Sequence, residues 1–190
     1  MFTSKHIQEI IMIEEILKIK WTEADKHGIY YTLQDIYNVI EKRMEAHQDT
    51  DTRIMVGTDS HGIRNTFHFV TVLGIWNVGK GGTYFHFSSF EPKKQYFGVE
   101  KLRLQNEVNK SLEIAFAIEE KFGLKPEVHI DISTQEKENF SSSMSELLKG
   151  YVLSSGYQPI LKPDGFMASA IADKHTKKKI RKIRKELGDK

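Results

Sequence analysis

The stretch IMVGTDSH, residues 54–61, carries an aspartate out of a run of strand-forming residues and sets a histidine two positions on. The spacing returns in reverse as His129-Ile130-Asp131 within EVHIDIS, and again as Asp173-Lys174-His175 within FMASAIADKH. Residues two apart on a strand share a face, so His61 accompanies Asp59 and His129 accompanies Asp131. On a helix two such side chains diverge by roughly 200°. Carboxylates pushed together repel unless a cation or a proton intervenes, and an oxygen-only cluster suits Mg2+ or Mn2+. An imidazole in the set shifts the preference toward Mn2+, Fe or Zn2+, or supplies a proton carrier. Each residue also has an ordinary reading. Asp59 could cap a turn, Asp131 could begin a loop, and Asp173 could pair with Lys177 at i,i+4. A strand histidine could simply be hydrogen-bonded in the core.

The elements around these residues decide whether they can meet. Residues 53–60, 67–76 and 83–90 are β-prone and separated by the short turns SHGIRNT and NVGKGG, which predicts a three-strand antiparallel meander. GKGG at 79–82 is no phosphate-binding loop, because no GK[ST] follows at the required spacing. A long helix is predicted over 99–122, with Leu104, Val108, Leu112, Ala115, Phe116 and Ile118 on one side and Gly123 and Pro126 stopping it. Glu107 borders its inward face beside Leu104, Val108 and Ser111, with Glu100 and Glu113 as alternatives. Then come a fourth strand (127–133), a helix (141–155), a fifth strand (157–161), and a last helix from Phe166, capped by Asp164. Phe166, Ser169, Ala170 and Asp173 lie on one helical stripe, predicted to face inward.

The order βββαβαβα has two helical crossovers, which make strands four and five parallel to strand one. Right-handed crossovers then give an α/β fold: a five-stranded mixed sheet in the order 3-2-1-4-5 with helices on both faces. The carboxyl ends of strands one and four share one edge, where open α/β sheets bind ligands. Ahead of the sheet, residues 4–20 and 32–47 read as amphipathic helices, the second opened by a capping box of Thr32 and Asp35. The expected organisation is an N-terminal helical extension (1–50), one α/β domain (51–176) and a basic tail (177–190).

Composition fits a globular protein: 190 residues, 39% hydrophobic and 28% charged. The absence of cysteine excludes a disulfide framework and thiolate chemistry. No apolar run approaches the length of a membrane span and the N-terminus lacks a secretory core, so the expectation is a cytoplasmic protein with no membrane partner. Residues 174–190 hold nine Lys or Arg against two acids, a local +7 within a net charge of +2, leaving −5 elsewhere. Such a tail is either a solvated helix or a nucleic-acid contact.

The order of elements resembles the ribonuclease H-like fold. That fold carries an Asp on strand one, a Glu on the first long helix, an Asp ending strand four and an acid on the last helix. Asp59, Glu107, Asp131 and Asp173 stand at those places. More closely, VGTDSH, RLQNEVNKSLEIA, VHIDIS and LKPDGFMASAIADKHTK resemble the YkuK-type family of ribonuclease H-like proteins, over about residues 30–180. The resemblance implies a nuclease that hydrolyses phosphodiesters of RNA or DNA with Mg2+ or Mn2+, two ions about 3.5–4 Å apart and Asp59 bridging them. His61, His129 and His175 are candidate additional ligands. Lys162, Lys174, Lys177, Lys178, Lys179 and Arg181 are expected to hold the backbone of a nucleic acid, whether RNA, RNA–DNA hybrid or structured DNA. Proofreading exonucleases of this fold place a Glu two after the first Asp and a Tyr or His four before the last; His61 and Ser169 occupy those positions and disfavour that subtype. The alternatives are a non-catalytic nucleic-acid-binding module and a protein-interaction module, with a homodimer formed through the N-terminal helices.

Overall fold

A computed structural model describes residues 12, 14–24, 26, 28–97, 99–133 and 139–186, and side chains except at 133, 139–142 and 183–186. In chain order the elements are β1 (Thr22–Glu23), α1 (Leu33–Ala46), β2 (Thr52–Ile63), β3 (Thr66–Asn77), β4 (Gly81–Pro92), a 3-10 turn (Lys93–Tyr96), α2 (Glu100–Phe122), β5 (Glu127–Ser133), α3 (Asn139–Ser154), β6 (Gln158–Lys162), a π-helical turn (Met167–Ala172) and α4 (Asp173–Glu186). The sheet runs β1-β4-β3-β2-β5-β6. Without β1 this is the expected order of five strands; the two-residue β1, added antiparallel to β4, makes it six.

The meander β2-β3-β4 is antiparallel throughout, and its tight turns set a continuous register from Thr52↔Asn77 to Ile63↔Thr66. β5 runs parallel to β2, and β6 parallel to β5, as the helical crossovers α2 and α3 require. α2 ends where Gly123 turns left-handed (φ 66°) and its N–H bonds Glu119 O at 2.7 Å.

One face of the sheet is covered by α1, α2 and α3. Leu33, Ile36 and Ile40 of α1 pack with Ile54, Val56, Leu73, Phe85 and Ile118 in one cluster, so this helix shares its core with the sheet. Trp21 and Ile16 join it from the segment before β1. The expected capping box is present, with Thr32 and Asp35 each bonding the other's backbone N–H. α3 closes a second cluster over Val128, Ile130 and Ile132. Of the apolar residues expected to form a dimer contact, Ile7, Ile10, Ile11 and Ile13 lie outside the described residues.

The opposite face is covered by the π turn and α4, over Met55, Val70 and Val72. Here the last helix departs from expectation. The N–H of Asp173 bonds Ala168 O, an i→i+5 closure. The wider winding changes the phase of the helix. Met167, Ala168, Ala172, His175 and Thr176 face the sheet, while Phe166 and Ala170 are exposed. The stripe Phe166–Ser169–Ala170–Asp173 is therefore not the inward one, and Asp173 lands at the margin of the buried face. Asp164 does not cap this helix either; Phe166 is the N-cap, with no side-chain cap bond.

Candidate functional site

The ladder between β2 and β5 stops at Gly57↔His129. Two residues further along each strand stand Asp59 and Asp131, on the face under the π turn. A register irregularity in β5 between Ile130 and Ser133 spans Asp131, a device that re-aims a side chain. Asp173, as the first residue of α4, comes down on the same face. Its neighbour Thr176, buried on that helix, donates its hydroxyl to Ala172 O at 2.8 Å and lies beside the Asp59 carboxylate, whose proton affinity it lowers. The three aspartates thus share the crevice where β2 and β5 part, near enough for Asp131 and Asp173 to act on Asp59.

Glu107 enters from the other face. It lies on the inward side of α2, 5% exposed, and accepts from Ser60 Oγ at 2.7 Å and Arg103 Nη1 at 2.5 Å. Arg103 Nη1 also donates to Ser60 Oγ at 2.9 Å. Ser60 follows Asp59 on the strand and points to the opposite face, so Glu107 reaches the crevice from behind Asp59. Glu100 and Glu113, the alternatives on this helix, are exposed.

The electrostatics tie the four together. Burial pushes the Asp59 carboxyl up to about 6, and the negative charges of Asp131 and Asp173 push the same way. Burial pushes Glu107 up to about 8 against the pull of Arg103 and Ser60, and Asp59 and Asp131 raise it further. Three of the acids are met by a cation of the chain itself: Glu107 by Arg103, Asp131 by Lys162 Nζ at 2.5 Å, Asp173 by Lys177 Nζ at 2.7 Å. The Lys162 contact is ion-pair proximity without hydrogen-bond alignment, because buried Asp131 Oδ1 has no hydrogen-bond partner. Among the described residues no three His, Asp or Glu donors are gathered tightly enough to hold a metal ion. The donor set is nevertheless the right kind for a hard divalent cation. It consists of oxygens only, and a cation would relieve the repulsion that Asp131 and Asp173 exert on Asp59.

The histidines divide. His61 is exposed at the end of β2. His129 is buried, accepts from the Met167 N–H through Nδ1 at 3.3 Å, and sets Nε2 3.4 Å from Glu127. Glu127 is in turn held by Arg53 at 2.8 Å, so His129 braces the start of the π turn. His175 points away from Asp173, stacked on His86 with ring centroids 3.7 Å apart and Nε2 3.2 Å from the Tyr84 hydroxyl. Lys174, Lys177, Lys178, Lys179 and Arg181 line the exposed side of α4, and Lys162 ends β6.

Sequence reasoning passed over Arg103, Ser60 and Thr176. The first was visible as an i,i+4 partner of Glu107. The other two needed the sheet register and the helix phase.

The shifts carry a testable sign. Asp59 and Glu107 have folded values above their ordinary ones of 3.8 and 4.5, so the folded state keeps protons that the unfolded chain releases. Their contribution is greatest below about pH 4 and is lost as pH rises through the folded values. His68 opposes this at lower pH, since burial holds it down at about 4. Unfolded histidines are about half protonated at pH 6.5 and only about a tenth protonated at 7.5, so the acid effect stands clear above about pH 7.5. In chelator, the melting temperature should therefore fall between about pH 7.5 and 8.5, and Glu107→Gln should flatten that fall. A rise over the same interval in the parent protein would contradict the coupling.

The Ribonuclease H-like family model matches residues 35–177. No curated protein and no solved structure matches the chain. No helix among the described residues is long and apolar enough to cross a membrane. The family match takes in β2 through β6, all four acids and the helices that carry them; the chain belongs to the ribonuclease H-like family.

Proposed function

We propose that the protein is a divalent-metal-dependent nuclease whose working residues are Asp59, Glu107, Asp131 and Asp173. The observation that carries this reading is the half-buried Asp59 carboxylate where β2 and β5 part, with Asp131 and Asp173 close enough for each to raise its proton affinity. A fold does not collect like charges in a crevice for stability. Asp59, Asp131 and Asp173 would hold Mg2+ or Mn2+ from the α4 side, and Glu107 from the α2 side. A bound ion supplies Lewis acidity and an activated water.

The chain's own residues do the remainder. Arg103 and Ser60 fix Glu107 Oε1. Thr176 lies beside Asp59, and the close-packed π turn would set the depth of Asp173. Lys162 and Lys177, already beside two of the acids, are placed to turn toward a phosphate. Lys174, Lys178, Lys179 and Arg181 extend the positive surface along α4 and would grip a backbone irrespective of its sequence.

A second reading, a nucleic-acid-binding module that does not cleave, is favoured by one feature: three of the four acids are paired with cations of the chain. The deciding experiment is a cleavage screen on RNA–DNA hybrid, single-stranded RNA, duplex DNA and branched DNA with Mg2+, Mn2+ or chelator. Cleavage of at least one substrate, dependent on metal, is expected. Binding without cleavage of any would select the module.

A further inference from the structure

Phe97 is 84% exposed and its backbone is left-handed, with φ 48°. A bulky residue rarely takes this conformation, and burial gives it nothing in return. The neighbourhood nonetheless holds it rigidly. Its N–H bonds Lys94 O at 3.3 Å, and Val99 N–H bonds Tyr96 O at 2.7 Å. Tyr96 is buried beneath it, hydrogen-bonded to Glu91 and, at 2.6 Å, to Asn106 Nδ2, with its ring against Phe67 and Phe69. A ring displayed on a braced 3-10 turn is a contact surface looking for a flat apolar partner.

Its surroundings say which. Lys93, Lys94 and Lys101 flank it, and the only acid between residues 93 and 103, Glu100, is held by Arg103 at 3.1 Å. Lys93 Nζ sits at Gly62, 3.0 Å from where a Cβ would be, and 5.4 Å from the Phe67 ring. Gly62 is three residues beyond Asp59, roughly 10 Å along the strand. The ring and its lysines thus stand at the end of β2 that leads away from the acidic crevice, at a different place from the basic helix α4.

We propose that Phe97 is a stacking platform for an unpaired base, with Lys93, Lys94 and Lys101 following the phosphates, so that the substrate is single-stranded where it leaves the crevice. This rests on the nuclease reading for the identity of the partner as nucleic acid. One protruding ring can cover the face of a splayed base, whereas a duplex offers such faces only at its ends. Stacking of this kind tolerates any base, while the lysines supply the salt-dependent part of the affinity.

The test uses the full chain in chelator, with fluorescein-labelled oligo-dT and oligo-U of about fifteen nucleotides and a blunt duplex of equal length, read by anisotropy over a range of salt. Phe97→Ala should weaken single-strand binding roughly 10-fold, with the salt slope and duplex binding unchanged, and Phe97→Trp should restore it. Lys93→Ala with Lys94→Ala should instead lower the salt slope by about 1.4. Single-strand binding by Phe97→Ala equal to the parent's overturns the proposal. So does an equal loss on the duplex, or a change in oligomeric state by light scattering, which would make the ring a protein contact. If Asp59→Asn abolishes cleavage while Phe97→Ala binds and cleaves as the parent does, the platform falls and the nuclease reading stands. If nothing is cleaved but single-strand binding depends on Phe97, the reverse holds.

Discussion

Asp59→Asn should abolish metal-dependent cleavage, by about 1,000-fold or more, while leaving the metal-free protein more stable at pH 8. The two effects have opposite signs, and that is what makes the substitution decisive. Asn keeps the size of the side chain and its place beside Thr176. It removes a charge that is buried and repelled by Asp131 and Asp173. With the Asp59 carboxyl pushed up to about 6 from 3.8, ionising it at pH 8 costs the fold on the order of 3 kcal/mol. The gain in melting temperature should shrink as pH falls through 6 and vanish below about pH 3, where the parent is protonated in both states. A structural aspartate would show the reverse, a loss of stability with activity lost only through unfolding. An Asn variant as active as the parent would remove Asp59 from the site.

Gly57→Ala should be one of the most damaging single methyls among the described glycines, alongside Gly165→Ala. Gly57 lies one strand position-pair before Asp59, beneath the π turn. A Cβ there would stand 2.6 Å from Ala168 N and 3.0 Å from Met167 C. Both are backbone atoms, so no rotamer change makes room; either the turn lifts or the strand moves. A cost of about 3 kcal/mol is expected, a drop of roughly 6–12 °C in melting temperature. Because the same turn delivers Asp173, activity should fall even at temperatures where the variant is folded. Gly150→Ala is the control, since Gly150 is helical with nothing within 4 Å of its Cβ position. There the substitution should stabilise by about 1 kcal/mol. Equal melting temperatures for Gly57→Ala and the parent would mean that the turn is not seated on the strand.

Much of this was legible without coordinates, for local reasons. The meander follows from β-branched and aromatic runs between short turns. The parallel strands follow from the length of the crossovers. The start of α1 follows from two side chains three residues apart. Asp59 and Asp131 could be placed side by side because strand alternation and parallel pairing leave little freedom. Glu107 could be placed because α2 keeps a regular period over its length. The last helix failed at the one point where that regularity breaks. Counting at 3.6 residues per turn through a π turn puts Phe166 and Ala170 inside, and although it brought Asp173 to the crevice it hid that His175 stacks on His86. The ion pair of Asp131 with Lys162 joins two elements whose distance depends on the finished packing, whereas that of Glu107 with Arg103 lay open to an i,i+4 reading. Phe97 was silent because nothing in its own sequence announces a left-handed aromatic on the surface.

The small strand β1 has a bearing on solubility. β4 is a 12-residue strand at the margin of the meander, and its outer backbone would otherwise face solvent. Thr22 and Glu23 pair with His86 and Phe85, the Ala24 N–H bonds Tyr84 O at 2.9 Å, and His86 Nε2 meets Ala24 O at 3.1 Å. A strip of chain ahead of the family-matched region thus closes the middle of an edge that could recruit a second sheet. Cutting the protein back to residues 35–177 would keep every acid of the crevice and uncover that edge. A minimal domain chosen by homology alone would inherit the chemistry together with a tendency to stick to itself.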